Sequence, residues 1–331
     1  MPQLDVIVIG ASAGGVGSLQ RVAERLPPAL PASVFVTLHL PEGVRSVLPR
    51  ILERAGPLPA GHAQNGQKIE PGRIYIAPPG YHMTLERDRV RVSRGAREHG
   101  LRPAIDPLFR SAALAFGPRV IGVVLSGQLD DGTVGLAEIK HAGGIAVVQD
   151  PEETAFPSMP RSAIAHVNVD YVLPADEIGP MLEHLVRTEQ TADLETGLRE
   201  AQVRSELEVL TNHQDEREKP GQPSPFACPD CGGVLWELAG GELLRFRCRV
   251  GHAFTADSLI AAEAQTIEES LWTALRAIEE QLAVKKRLAE RMARQGRAAA
   301  GDQLLARARE LEHHGQQIRS LLLNGVGASG D

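Results

Sequence analysis

Apolar positions in the first half of the chain fall into short unbroken runs. These are residues 6–9 (VIVI), 33–38 (SVFVTL), 73–77 (RIYIA), 120–125 (VIGVVL), 144–149 (GIAVVQ) and 171–173. Most are rich in β-branched residues, and the stretches between them have the spacing of amphipathic helices. Continuous runs alternating with helices predict buried strands of a parallel sheet covered on both faces, hence a doubly wound α/β domain. Residues 85–93 (LERDRVRVS) differ, because charged and apolar positions alternate after the turn PPGYH. That pattern predicts a partly exposed β-hairpin.

Near residue 188 the pattern changes. Leu194, Leu198, Ala201, Leu207 and Leu210 recur at roughly helical spacing among charges, and DEREKPGQPSP (215–225) has the composition of a linker. A cysteine-bearing segment follows. From residue 258 the chain is amphipathic, with Leu271, Leu275, Ile278 and Leu282 in alternating steps of four and three. That is the seam of a helical hairpin or coiled coil. Lys285 interrupts it, QGRAAAGD (295–302) is the expected turn, and 304–323 the returning arm. The expected organisation is a catalytic domain over 1–190, a helical and charged linker over 191–225, and a small ribbon over 226–257. A helical hairpin over 258–324 and a disordered tail over 325–331 follow.

Composition narrows the function classes. The net charge is −7, so the chain lacks the basic footprint of a nucleic-acid or anionic-membrane binder. Aromatic residues make up 4%, too few for a base-stacking platform. No apolar run approaches the ~20 residues of a membrane span, and no cleavable leader precedes the first strand. A cytoplasmic protein without direct membrane insertion is expected.

The first run leads into Gly10-Ala11-Ser12-Ala13-Gly14-Gly15. A strand, a tight turn of small residues and a helix start suit two chemistries. A dinucleotide loop needs G-x-G-x-x-G and an acid near the tip of the second strand. Here Ser12 replaces the middle glycine, and the second run ends in Thr37-Leu38-His39 without an acid. A nucleotide-dependent enzyme stays open on the loop alone. The same turn can instead expose a serine nucleophile above the sheet, with the N–H groups of Ala13 and Gly14 facing the same space as oxyanion donors. Such a serine needs a base and a group to orient it. In a parallel sheet all strand tips open on one side, so His39 and the pair Asp130–Asp131 in SGQLDDG can converge on Ser12. Singly, each has a plainer reading: a helix cap, a structural histidine, a turn.

Several stretches, in order over the first ~190 residues, resemble the CheB-type protein-glutamate methylesterase of bacterial chemotaxis. They are VIGASAGG, LHLPEG, IEPGRIYIAPPGYH, LRPAIDPLFRSAA, VVLSGQLDDGTVGL and QDPEETAFPSMPRSAI. The resemblance implies a doubly wound, mostly parallel sheet with a β-hairpin at the active edge, and hydrolysis of glutamyl methyl esters on chemoreceptors with deamidation of receptor glutamines in some members. It implies Ser12 as nucleophile, His39 as base and Asp131 as carboxylate, with Asp130 a neighbour. Ala13 stands where the family commonly has threonine. SGQL (126–129) stands where it has TGMG, and the backbone N–H of Gln128 is then a further oxyanion donor. His82 and Arg102 are weaker candidates for meeting an acidic receptor tail. Usual members carry a phospho-acceptor domain before the catalytic strand. This chain starts at that strand, so switching in cis by aspartyl phosphorylation is not expected. The expected partner is a methylated chemoreceptor or a related signalling protein, and no cofactor is expected in catalysis. A non-catalytic CheB-like signalling module is the rival reading.

Three cysteines cluster with a histidine as Cys228-x-x-Cys231 and Cys248-x-x-x-His252. Two short ligand pairs on separate turns are what a tetrahedral ion requires, and four protein ligands leave no open position. A structural zinc ribbon is expected, with residues 236–246 as its hairpin. The ribbon and the C-terminal helices are candidate surfaces for a protein partner or self-association.

Overall fold

The computed structural model describes residues 5–188, 221–239 and 243–324. The predicted helix around 194–210 and the tail 325–331 lie outside the described residues.

Nine strands open the chain: β1 (Val6–Ala11), β2 (Ser33–Leu38), β3 (Ala60–His62), β4 (Ile74–Ile76), β5 (His82–Leu85), β6 (Val90–Ser93), β7 (Val120–Val124), β8 (Ile145–Gln149) and β9 (Tyr171–Leu173). Seven form one sheet in the order β3-β4-β2-β1-β7-β8-β9, and every pairing in it is parallel. The helices are α1 (Gly15–Glu24), α2 (Leu48–Ala55), α3 (Ile105–Phe116), α4 (Thr133–His141), α5 (Ser158–His166) and α6 (Ala175–Arg187). Side chains alternate faces along each strand. Ile7, Ile9, Ile121 and Val123 enter one core with Leu19 of α1, Leu52 of α2 and Leu182 of α6. Val6, Val8, Val120 and Val124 enter the other with Phe109 of α3 and Leu136 of α4. Both sheet faces are therefore covered, as the unbroken apolar runs require. β5 and β6 pair antiparallel as a separate hairpin. The short strand β3 carries no apolar run, and hydrophobic pattern gave no sign of it.

Two close approaches set the spacing between β1 and the helix that crosses it. A Cβ added at Gly10 would lie 2.4 Å from Cγ2 of Ile105, at the start of α3. Gly135 of α4 meets α3 in the same way, 2.4 Å from Cβ of Phe109. Glycine at these two points lets the beginnings of α3 and α4 come together over the sheet.

After the undescribed stretch, four antiparallel strands follow in the order β10-β11-β12-β13. They are β10 (Gln222–Ala227), β11 (Val234–Glu237), β12 (Arg245–Cys248) and β13 (Ala253–Thr255). β10 begins inside the expected linker, because QPSPF forms an edge strand on which proline is tolerated. β11 and β12 form the predicted hairpin. This small sheet belongs to the same compact unit as the large one, Met1–Ser258.

The described residues of the second unit, Leu259–Asp331, are helical. α7 (Ala256–Arg294) enters it and α8 (Ala298–Leu323) returns. The turn is shorter than expected, because the alanines after Arg297 already belong to α8. Gly296 takes a left-handed φ of 74°, the usual way to end a helix. Leu275, Ala289 and Ala308 are buried in this unit, where Gly315 approaches Ile278. Among the described residues no helix is long and apolar enough to cross a membrane.

Overpacking at Gly10 is predicted to cost about 1–3 kcal/mol. Gly10→Ala should lower the urea midpoint accordingly. Gly17→Ala, at an exposed α1 position with open space around it, should leave stability unchanged or raise it by up to ~1 kcal/mol. Equal midpoints for the two variants would contradict the packing described.

Candidate functional site

Register brings the first two site residues together. Ala11 of β1 pairs with Leu38 of β2, so Ser12 and His39 are the next residues past paired strand tips. The Ser12 N–H donates to Ser126 O at 2.9 Å, and the His39 N–H to Ala11 O at 3.1 Å. Both backbones are thus tied to the sheet edge. His39 Nδ1 lies 3.0 Å from Ser12 Oγ, and its Nε2 lies 2.7 Å from Asp131 Oδ2. With Asp131 ionised, Nε2 carries the proton and Nδ1 offers its lone pair to the serine hydroxyl. Only 8% of the His39 side chain and 2% of the Asp131 side chain remain exposed, so bulk water screens the pair weakly.

Asp131 is held from three further sides. The Ile105 N–H donates to Oδ2 at 2.8 Å and the Asp106 N–H to Oδ1 at 3.0 Å. These are amides of the first turn of α3, where the helix dipole favours an anion. Asp106 returns the arrangement. Its Oδ1 accepts from the Gly132 N–H at 3.1 Å and the Gly135 N–H at 2.7 Å, at the start of α4. Each helix start is thereby capped by a carboxylate from the other's neighbourhood. The third contact is a second histidine: His99 Nε2 lies 3.1 Å from Asp106 Oδ2 and 3.6 Å from Asp131 Oδ1. Burial disfavours a charged Asp131, but His99, His39 and the α3 amide outweigh it and hold the carboxyl well below the usual range. Burial opposes the charged form of His99 as well, yet Asp131, Asp106 and Asp130 raise it to about 10. Asp130 instead accepts from Thr255 Oγ1 at 3.0 Å, and burial pushes its carboxyl up.

The backbone donors are placed by the neighbouring strand tip. A Cβ on Gly127 would lie 2.8 Å from Ser12 Cβ and 2.0 Å from Met159 Sδ. The loop therefore passes directly over the serine, with the Gln128 N–H next in line. Neither the Ala13 nor the Gln128 N–H donates to another group among the described residues. Ala13 is steadied through its carbonyl, which accepts from Ser126 Oγ at 2.7 Å. Thr154 donates in turn to Ser126 Oγ at 2.6 Å. Leu129 has φ 61°, a left-handed conformation that costs an L-residue about 1–2 kcal/mol. It stands where the TGMG pattern has glycine, and the strain sits two residues before Asp131.

Two expected substrate contacts are corrected. His82 is fully buried. Its Nε2 lies 3.0 Å from Ala96 O, and its Nδ1 accepts the Ala104 N–H at 3.3 Å. Burial pushes it toward the neutral form, so it is a structural histidine of the hairpin strand β5. Arg102 spends its guanidinium inside the protein, on Glu42 Oε1 at 3.0 Å and Gly95 O at 2.7 Å. Neither presents a free charge to a ligand. His99, the α3 amides and Gly127 escaped sequence reasoning. An Asp-Pro pair at a helix start was the available signal for the α3 anion site.

The cysteine segment closes around a second point. Cys228 and Cys231 flank a turn sealed by the Gly232 N–H to Cys228 O at 2.8 Å, and Cys248 and His252 flank another sealed by the Gly251 N–H to Cys248 O at 3.0 Å. Cys231 and Cys248 Sγ are 3.7 Å apart. His252 Nδ1 lies 3.6 Å from both Cys228 Sγ and Cys248 Sγ. A tetrahedral zinc with ordinary bond lengths has S–S edges of about 3.8 Å and S–N edges of about 3.6 Å. The donor set therefore fits that ion.

Comparison with known proteins places the α/β part. The family model described as CheB methylesterase matches residues 7–182. A protein-glutamate methylesterase/protein-glutamine glutaminase 3 of Anaeromyxobacter dehalogenans is 41% identical over 184 residues, 55% of this chain and 54% of that protein. A putative protein of the same kind from Leptospira interrogans is 37% identical over 182 residues, 55% of this chain and 94% of its own length. The chain thus spans about half of the first relative and nearly all of the second. The crystal structure of the Thermotoga maritima CheB methylesterase catalytic domain superposes with a TM-score of 0.53 at 33% identity, over 55% of this chain and 98% of that one. With its family model matched across more than half of its length, the chain belongs to the CheB methylesterase family.

Proposed function

We propose that the protein is a serine hydrolase that removes methyl esters from glutamyl side chains of a chemoreceptor or a related signalling protein. The observation that carries this reading is the continuous hydrogen-bonded chain Ser12 Oγ–His39–Asp131, at 3.0 and 2.7 Å, on the open edge of the sheet. His39 Nδ1 takes the hydroxyl proton as Ser12 Oγ attacks the ester carbonyl. The tetrahedral oxyanion is met by the Ala13 and Gln128 N–H groups, each such donor being worth about 3 kcal/mol. His39 then gives its proton to the departing methoxide, and methanol leaves a glutamyl ester on Ser12. Water, deprotonated by His39, hydrolyses that ester and regenerates the hydroxyl. Asp131 stays ionised and keeps the Nε2–H tautomer in place. A glutamine amide enters the same cycle with ammonia as leaving group, and the double names of the relatives favour both activities. A nucleotide-dependent enzyme loses its support, because the hydroxyl of Ser12 is engaged by a base.

We further propose that Cys228, Cys231, Cys248 and His252 hold a structural zinc. With four protein ligands it adds stability to the small sheet and takes no part in ester chemistry. Zinc-ligating thiolates suit the reducing cytoplasm, where we place the protein.

Ser12→Ala is expected to cut methanol release from a methylated receptor fragment by about a thousandfold or more with the fold intact; turnover near wild type would overturn the reading. Purified protein should hold about one zinc per chain, and Cys228→Ser should lose most of it. Metal analysis finding only a few tenths of an equivalent or less in wild type would contradict the ribbon.

A further inference from the structure

The Cys3His sheet packs on the catalytic domain at the back of Asp131. The segment before α3 pairs with β13 as an added strand: Glu98 bridges Ala253 in parallel. The His99 N–H donates to Ala253 O at 2.7 Å, and the Ala253 N–H to Arg97 O at 3.2 Å. Glu98 is buried between the guanidinium of Arg110 on α3, at 2.7 Å, and that of Arg247 on β12, at 3.9 Å. Burial would push Glu98 up, but Arg110 and Arg247 hold it down at about 2. This doubly bound carboxylate is a charge clamp between the two sheets rather than an open ligand for a cation. Two hydroxyls from the end of β13 and the start of α7 reach further in. Thr255 Oγ1 donates to Asp130 Oδ1 at 3.0 Å, and Ser258 Oγ lies 3.1 Å from His99 Nδ1.

His99 is the point where these contacts meet. Its φ of 55° is left-handed, which turns the ring inward. In its doubly protonated form Nδ1–H donates to Ser258 and Nε2–H to Asp106, with Asp131 Oδ1 at 3.6 Å. The charged and titratable groups around it are Asp106 on α3, with Arg110 4.0 Å from the Oδ2 that His99 meets, and Asp130 and Asp131 before α4, with His39 on the other oxygen of Asp131. Glu98 is neutralised by its two arginines, and His82 is kept neutral by burial.

We propose that His99 is a positioning residue for the hydrolase, holding Asp131 against His39, and that it is set in place by the docked Cys3His sheet. A cation behind Asp131 fixes the carboxylate and offsets part of its charge. That offset lessens the negative charge facing His39 Nε2 while Asp131 Oδ2 stays on its N–H. The sheet reaches His99 through Ala253 of β13, and the helix that follows it through Ser258, which touches His99 and is not a hydrogen-bond partner of Ser12 or His39. The inference rests on the hydrolase reading above.

The test is the pH dependence of ester hydrolysis by the full chain, with methanol release as readout. His99→Asn keeps a residue tolerant of left-handed φ but removes the charge. The acid limb of its kcat/KM profile should move up by about one pH unit, an approximately tenfold loss at acid pH, with KM little changed. Ser258→Ala should move the limb the same way by less. A limb unmoved in folded His99→Asn would overturn the proposal. Should that variant not fold, an unmoved limb in Ser258→Ala would do so. A second measurement needs no variant: the ring nitrogens of His99 in wild-type protein should stay in the imidazolium range from about pH 6 to about pH 9. A neutral ring there would overturn the proposal independently. Loss of the hydrolase reading is distinguishable, since Ser12→Ala would then retain turnover whatever His99 does.

Discussion

Two carboxylates exchanged between two helix starts hold this site together. Asp131 accepts the first amides of α3, and Asp106 accepts the first amides of α4. Each exchange satisfies backbone N–H groups that helices leave unpaired. Each also holds a buried negative charge with hydrogen bonds worth more than neutral ones. The result is an ionised carboxylate that cannot wander, placed where His39 needs its partner. Removing one member would leave buried amides and a buried charge without partners, so the arrangement stands or falls as a unit.

The sheet supplies the other half of the geometry. Parallel pairing of β1 with β2 and with β7 aligns three strand tips, and residues distant in sequence become neighbours. Small residues then let backbones close in. Gly10 admits Ile105 of α3 against β1, and Gly127 admits the β7–α4 loop over Ser12. The strained Leu129 shows that the loop's path is imposed by its surroundings rather than by its own preferences.

Much of this was legible in the sequence. Short apolar runs marked six of the seven strands of the large sheet, five of them because they are buried on both faces and the partly exposed β9 by its Tyr-Val-Leu triplet. The serine turn, His39 and the pair Asp130–Asp131 could be picked out because a parallel sheet sends every strand tip to one edge, while the choice of Asp131 within that pair came from the family resemblance. β3 was invisible, since Ala60-Gly61-His62 offers no large apolar side chain, whereas the equally short edge strand β9 does. His82 and Arg102 were misjudged as surface groups because their partners, Ala96, Ala104, Glu42 and Gly95, depend on how the loops around the hairpin fold. His99 was missed for a related reason. Its partners lie on α3, before α4 and at Ser258, and no local pattern joins elements that far apart. The cysteine spacing singled out the Cys228, Cys231, Cys248 and His252 group, which the structure brings together, but not the docking of its sheet, which rests on strand pairing by 97–99 and on the Glu98 clamp.

The central claim is that a carboxylate fixed by helix amides makes His39, and through it Ser12, reactive. Labelling with a fluorophosphonate, located by peptide mass spectrometry, tests this most directly. Wild-type protein should carry a single adduct, on Ser12, and Asp131→Asn should label at least about a hundredfold more slowly while remaining folded. An adduct on another residue, or equal labelling rates in the two proteins, would contradict the account.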